Sequence, residues 1–197
     1  MTRRIEVLVP TVPAIVLGST QSDEGLDPGD VAVVRRRSGG GAVLVGPDDP
    51  LWVDVDLPAG DPLWEDDVGR SFHWLGRAWA DALGDLGVDA VVHEGSFEPG
   101  PWGRVVCFAG RGPGEVFVDG AKVVGLAQRR TRAGARFQCA VPQRWDPAPL
   151  VAALVPPADR ERAVDELAAV ATAPGVEATA LCAALVERLG GGWRAGE

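Results

Sequence analysis

The stretch Val31-Ala-Val-Val-Arg-Arg-Arg-Ser-Gly-Gly-Gly-Ala-Val-Leu-Val45 carries the first half of the reading. β-Branched runs on either side of a glycine cluster read as strand, tight turn, strand. Glycines let successive backbone N–H groups approach an anion closely and form a concave nest. Arg35, Arg36 and Arg37 place positive charge beside that nest, and Ser38 adds a hydroxyl. The pattern is neither a P-loop nor the dinucleotide GxGxxG. On the residues alone two readings stay open: an anion cradle, or a tight hairpin with a solvated basic flank.

The second half is Val118-Asp-Gly-Ala-Lys-Val-Val-Gly-Leu-Ala-Gln-Arg-Arg130. Asp119-Gly120 between apolar runs is a hairpin signal. Lys122, just after it, is the only lysine in a sequence with 19 basic residues. Where arginine is the default cation, a retained lysine points to a position that uses a compact, mobile ammonium instead of a planar guanidinium. From Lys122 through Arg144 there are cations at 122, 129, 130, 132, 136 and 144 and no acid. In a chain of net charge −9 that segregation suits a nucleotide, an acidic partner surface, or simply a solvated strand edge.

Outward from these stretches, the chain alternates short strands and loops. Leu51–Leu57, Val88–His93, Arg104–Phe108, Glu115–Val118 and Arg136–Val141 read as further strands. Val68, Phe72, Leu75, Trp79, Leu83 and Leu86 recur at helical period, predicting one long helix over 66–86 closed by Gly87. Beyond Pro147 the composition turns to Ala, Leu and Glu, and helices are predicted near 159–171 and 177–189. The expected class is therefore α+β, with mixed β-sheets, a central helix and a helical C-terminal tail, divided as 1–150 and 151–197.

Composition narrows the function. The 197 residues, 46% hydrophobic and 24% charged, suit a soluble globular chain. Net acidity disfavours nucleic acid as a partner, and no apolar run is long enough to span a bilayer. The opening Arg3-Arg4 and Ile5–Gly18 segment imitates a secretory leader, but Glu6, Pro10 and Pro13 interrupt it, so it reads as strand. Cys107, Cys139 and Cys182 are an odd number without a CxxC. They point to a reducing cytoplasm and no metal site. Cys107 falls at the end of an apolar strand, where an inert core thiol is the simple expectation. His73 and His93 lack metal-ligand spacing and read as structural.

The two stretches, in this order and about eighty residues apart, resemble the lipoate–protein ligase A family, within the superfamily of lipoate and biotin ligases and octanoyltransferases. Gly18-Ser-Thr-Gln21 is similar to the family's short opening motif. The resemblance covers residues 5–150 and favours the lipoate over the biotin type. It implies a lipoate/biotin ligase-like catalytic domain attaching a lipoyl or octanoyl group to a lysine of a lipoyl carrier domain, of the 2-oxoacid dehydrogenase or glycine-cleavage type. Lipoate or octanoate would be activated with Mg-ATP as an acyl-adenylate. By matching position, Arg36, Ser38, Gly40, Gly41, Ala42, Val43 and Leu44 would line the nucleotide and acyl site, and Lys122 would hold the acyl carbonyl and phosphate. Arg129, Arg130 and Arg132 are candidates for docking the carrier.

Two departures accompany the resemblance. The family's His-Asp after GGGAV is absent, the chain continuing Leu44-Val45-Gly46, and Gln138-Cys139 stands where a His-Gly pair is usual. Val106-Cys-Phe108 resembles instead the nucleophile region of cysteine-dependent octanoyltransferases. This implies an ATP-independent alternative in which Cys107 forms a thioester and acyl carrier protein is the donor. A degenerate, non-catalytic ligand-binding member is the third reading.

Overall fold

Strand β5 (Leu51–Pro58) shows why the chain needs material on both faces of its main sheet. Side chains alternate across a strand, and here Val53, Val55 and Leu57 alternate with Trp52, Asp54 and Asp56. Strand β9 (Gly134–Val141) repeats the pattern, with Ala135, Phe137, Cys139 and Val141 alternating with Arg136, Gln138 and Ala140. The two strands pair antiparallel from Leu51↔Val141 to Pro58↔Gly134, so both apolar sets fall on one face.

The computed structural model describes residues 3–190 and 193–195. Its remaining strands are β1 (Arg4–Leu8), β2 (Ala14–Leu17), β3 (Ala32–Arg35), β4 (Val43–Val45), β6 (Val91–Val92), β7 (Val116–Val118), β8 (Ala121–Thr131) and β10 (Trp193–Ala195). A seven-stranded sheet runs β10-β1-β5-β9-β8-β7-β6, antiparallel except for the β1–β10 pair. A three-stranded sheet runs β3-β2-β4. The helices are α1 (His73–Asp85), α2 (Ala148–Leu154), α3 (Arg160–Leu167) and α4 (Ala178–Leu189). The mixed α+β class read from the sequence is the observed one. No helix among the described residues is long and apolar enough to cross a membrane.

Three apolar clusters fix these layers. On one face of the large sheet, Val53, Val55, Phe137 and Val141 meet Leu75, Trp79 and Leu83 of α1 and Leu181, Leu185 and Leu189 of α4. A second cluster joins Ile15 and Leu17 of the small sheet, and Ala42 just before β4, to Leu150, Val151, Ala163 and Leu167 of α2 and α3. A third, with Val43, Val45, Trp52, Phe108, Ala140 and Ala171, seals the small sheet against the opposite face of the large one. Residues beyond 150 thus contribute to every cluster. The glycine cluster, between β3 and β4, is carried to the seam between the sheets.

Two expectations are corrected here. The long helix starts at His73, because Val68–Phe72 is spent on a turn: Asp67 Oδ1 accepts the Arg70 N–H at 2.8 Å, and a 3₁₀ turn covers Arg70–Phe72. Arg104–Phe108 is not a strand. The Trp102 carbonyl accepts the N–H of both Val105 and Val106, curling the segment, and Cys107–Ala109 forms a 3₁₀ turn.

Candidate functional site

The glycine loop is shaped from beneath by one guanidinium. Arg36 is buried, and its Nε donates to Ser38 Oγ at 3.0 Å and its Nη1 to the Val16 carbonyl at 3.2 Å. Its Nη2 donates to the carbonyls of Gly39 at 2.7 Å and Gly41 at 2.9 Å. Ser38 Oγ in turn donates to Gln138 Oε1 at 2.6 Å. In the trans peptide that follows, drawing the Gly39 carbonyl to the guanidinium turns the Gly40 N–H away from it, while the Ala42 N–H opposite the Gly41 carbonyl donates to the Val105 carbonyl at 2.8 Å. Among the described residues no acceptor is found for the N–H groups of Gly39, Gly40 or Gly41. Three successive unpartnered N–H groups are donors open to an anion. Glycine is required by geometry: Gly40 has φ +97°, and a Cβ on Gly41 would lie 2.7 Å from the Val106 carbonyl carbon.

Lys122 lies on the other side of the 3₁₀ turn from the loop. Its side chain is 1% exposed. Nζ pairs with Glu115 Oε2 at 2.5 Å and donates to the Cys107 carbonyl at 3.1 Å. The rings of Phe108 and Phe117 lie 5.9 and 6.0 Å from it. Its backbone is pinned as well: its N–H donates to the Val170 carbonyl and its carbonyl accepts the Thr172 N–H.

Cys107 connects the two halves. Its N–H donates to the Ala42 carbonyl at 3.0 Å while its own carbonyl receives Lys122. Its half-buried Sγ lies 3.8 Å from where a Cβ on Gly40 would sit. The thiol therefore borders the loop, and it is the carbonyl, not the sulfur, that Lys122 touches. Cys139 is a core thiol, pushed up to about 12 by burial.

The remaining candidates sort by their surroundings. Ala42 and Val43 are core side chains and Leu44 pairs with Ile15 in the small sheet, so what they offer a ligand is backbone. Arg35 is committed to the Gly18 and Gln21 carbonyls and to Asp23. Arg130 stacks on Trp64, 4.2 Å from its ring, and donates to the Glu65 and Asp66 carbonyls. Arg132 is exposed. Arg129, also exposed, joins Arg37, Arg4 and Arg136 around a groove of about 930 Å³, with Ser38 and Gln138 on its lining. Beside it Asp54 is buried against Trp52 Nε1 (2.9 Å) and Arg136 (3.4 Å), and burial raises its carboxyl above the usual range.

The model of the lipoyl protein ligase A/B catalytic domain matches residues 3–180. The chain belongs to that family. No curated protein matches it by sequence. Among solved structures, it is similar to a bipartite lipoate protein ligase studied with its E2 lipoyl domain from Thermoplasma acidophilum, at TM-score 0.76 and 18% identity. That match spans 100% of this chain and 74% of the other. It is also similar to lipoate-protein ligase A bound with ATP, at TM-score 0.72, 20% identity, and 100% and 76% coverage. Lipoate-bound LipL1 of P. falciparum matches at 0.59, 13% identity, and 95% and 46% coverage.

Within this lipoyl ligase fold, the residue that sequence reasoning missed is Glu115. Ordinary hairpin pairing about Asp119-Gly120 puts Lys122 opposite Phe117, but a register shift between Val116 and Phe117 resets what lies beyond. Alternation already leaves Glu115 on the face of the hairpin that carries Phe117 and Lys122, and in the structure the acid meets the ammonium at 2.5 Å. Among the described residues, no group of three or more His, Cys, Asp or Glu side chains is arranged to hold a metal ion.

Proposed function

We propose that the chain is a lipoate–protein ligase-like enzyme that attaches a lipoyl or octanoyl group to a carrier-domain lysine through an acyl-adenylate. The observation that carries this reading is the shared Cys107 turn, with the unpartnered amides of Gly39–Gly41 on one side and the sole lysine on the other. In the first half-reaction a carboxylate oxygen of the fatty acid attacks the α-phosphorus of ATP, and pyrophosphate leaves. In the second, the carrier's lysine amine attacks the acyl carbonyl, its proton is lost, and AMP leaves. Both steps build negative charge on oxygens beside phosphate, and fixed amides with a nearby ammonium stabilise such charge without reorganising. Magnesium would enter on the nucleotide's phosphates. The carrier would present acidic side chains to the groove of Arg37 and Arg129, neither of which has a salt-bridge partner among the described residues.

A second reading rests on the place of the Cys107 thiol beside Gly40. There an octanoyl thioester of acyl carrier protein would exchange with Cys107, releasing the carrier's thiol, before the acyl group passes to the lysine acceptor. Both readings suit a cytoplasmic setting, where the three cysteines, none of them in a disulfide, stay reduced. Pyrophosphate release separates the two. The adenylation reading expects ATP consumption that depends on lipoate or octanoate. The thioester reading expects no ATP consumption and an acyl-enzyme that Cys107→Ser abolishes.

A further inference from the structure

Glu115 is held more tightly than charge neutralisation of Lys122 requires. Its Oε2 accepts the Gly112 N–H at 2.6 Å and its Oε1 the Leu126 N–H at 3.3 Å. Backbone donors on both oxygens fix the carboxylate, so it cannot follow the ammonium if the ammonium moves. Lys122 is differently placed. Two of its three N–H donors are used, by Glu115 and the Cys107 carbonyl, and the flexible four-carbon stem can redirect them. Cys107 links the two, its carbonyl receiving Lys122 and its N–H donating to the carbonyl of Ala42, the residue that follows the glycine loop. A planar guanidinium could not make this exchange between two small acceptors, which accounts for a lysine here in a chain whose other 18 basic residues are arginines.

We propose that Glu115 is a positioning residue that keeps Lys122 retracted from the glycine loop until an anion on the loop amides draws the ammonium across. The inference rests on the acyl-activation reading above and adds a resting state to it. Ligand affinity is then reduced by the fraction of molecules in which Lys122 has left Glu115, and weakening the pair removes that reduction.

The sole lysine makes the switch directly observable. Protein labelled with ¹³Cε,¹⁵Nζ-lysine gives a single side-chain signal, and octanoyl-sulfamoyl-adenosine serves as an unreactive anionic probe. In the wild type the Lys122 signal is expected to move in step with probe occupancy measured by calorimetry. In Glu115→Gln it is expected to lie away from its wild-type position before any probe is added, and the probe should bind about tenfold more tightly. Saturable binding with an unmoved Lys122 signal would overturn the positioning role and leave acyl activation standing; this arm needs no variant. A folded Glu115→Gln protein that binds the probe more weakly would show a purely structural pair and overturn the role too. If neither protein binds the probe, the inference and the acyl-activation reading fail together.

Discussion

Ser38 and Gln138 meet through a 2.6 Å hydrogen bond, which ties the glycine loop to the middle of the large sheet. Ser38 also receives Arg36 Nε, so one hydroxyl links the guanidinium that shapes the loop to the strand beneath it. Gln138→Ala removes that tie while leaving the core side of β9 intact. The expected outcome is a loss of about 1 kcal/mol in urea denaturation. Faster hydrogen exchange confined to residues 36–42 should accompany it; unchanged exchange there would remove the tie from the account.

The glycine cluster is not uniform, and two substitutions separate its members. A Cβ on Gly39 meets nothing within 4 Å, whereas one on Gly41 would lie 2.7 to 2.9 Å from the Val106 and Cys107 backbone. Gly39→Ala should shift stability by no more than about 0.5 kcal/mol. Gly41→Ala should lose about 1–3 kcal/mol, because the loop must separate from the Cys107 turn. Equal thermal midpoints for the two variants would contradict the packing of loop on turn.

Asp54 gives the fold a pH dependence with a definite sign. Burial raises its carboxyl, with Trp52 and Arg136 only partly opposing. The stability associated with its neutral form is complete below the ordinary value of 3.8 and is lost as pH rises through the higher folded value. Asp54→Asn lacks this titration. The stability of the wild type minus that of Asp54→Asn should therefore fall as pH rises from 3.8 through the raised folded value. A flat or rising difference in denaturant titrations would show that the ion pair, not burial, governs the group.

The thiols should separate kinetically. Cys107 is half-buried at the loop, while Cys139 is buried and held near 12. A maleimide at neutral pH should modify Cys107 at least about a hundredfold faster than Cys139, since the thiolate is the reacting form. Peptide mapping at short times reads the ratio; comparable rates would mean the β5–β9 core opens far more readily than its packing implies.

Much of this architecture could be read from the chain because its signals are local. Alternation in Leu51–Leu57 and Arg136–Val141, the Asp119-Gly120 turn and the helical stripe ending at Gly87 all survive in the structure. What could not be read depends on partners distant in sequence. Val105-Val-Cys-Phe108 has strand composition, yet its neighbours are the Ala42 carbonyl, the Trp102 turn and the Trp145 ring, and they curl it. Arg36 stands in a run of three arginines that look alike in sequence; burial alone makes it the loop's inner scaffold. Glu115 was legible only through Lys122: pairing Phe117 with Lys122 puts it on the lysine's face of the hairpin, but the acid itself carries no motif.

The central claim is that the loop and Lys122 together activate an acyl group for a carrier lysine. Its most direct test is the intact mass of an apo lipoyl carrier domain after incubation with this protein, lipoate or octanoate, and Mg-ATP, beside the same reaction with Lys122→Ala. The account predicts that the domain gains one acyl mass only when ATP is present, and that the substitution abolishes the gain while the variant remains folded. A folded, unmodified carrier domain showing no gain with the wild-type protein, or an equal gain with Lys122→Ala, would contradict it.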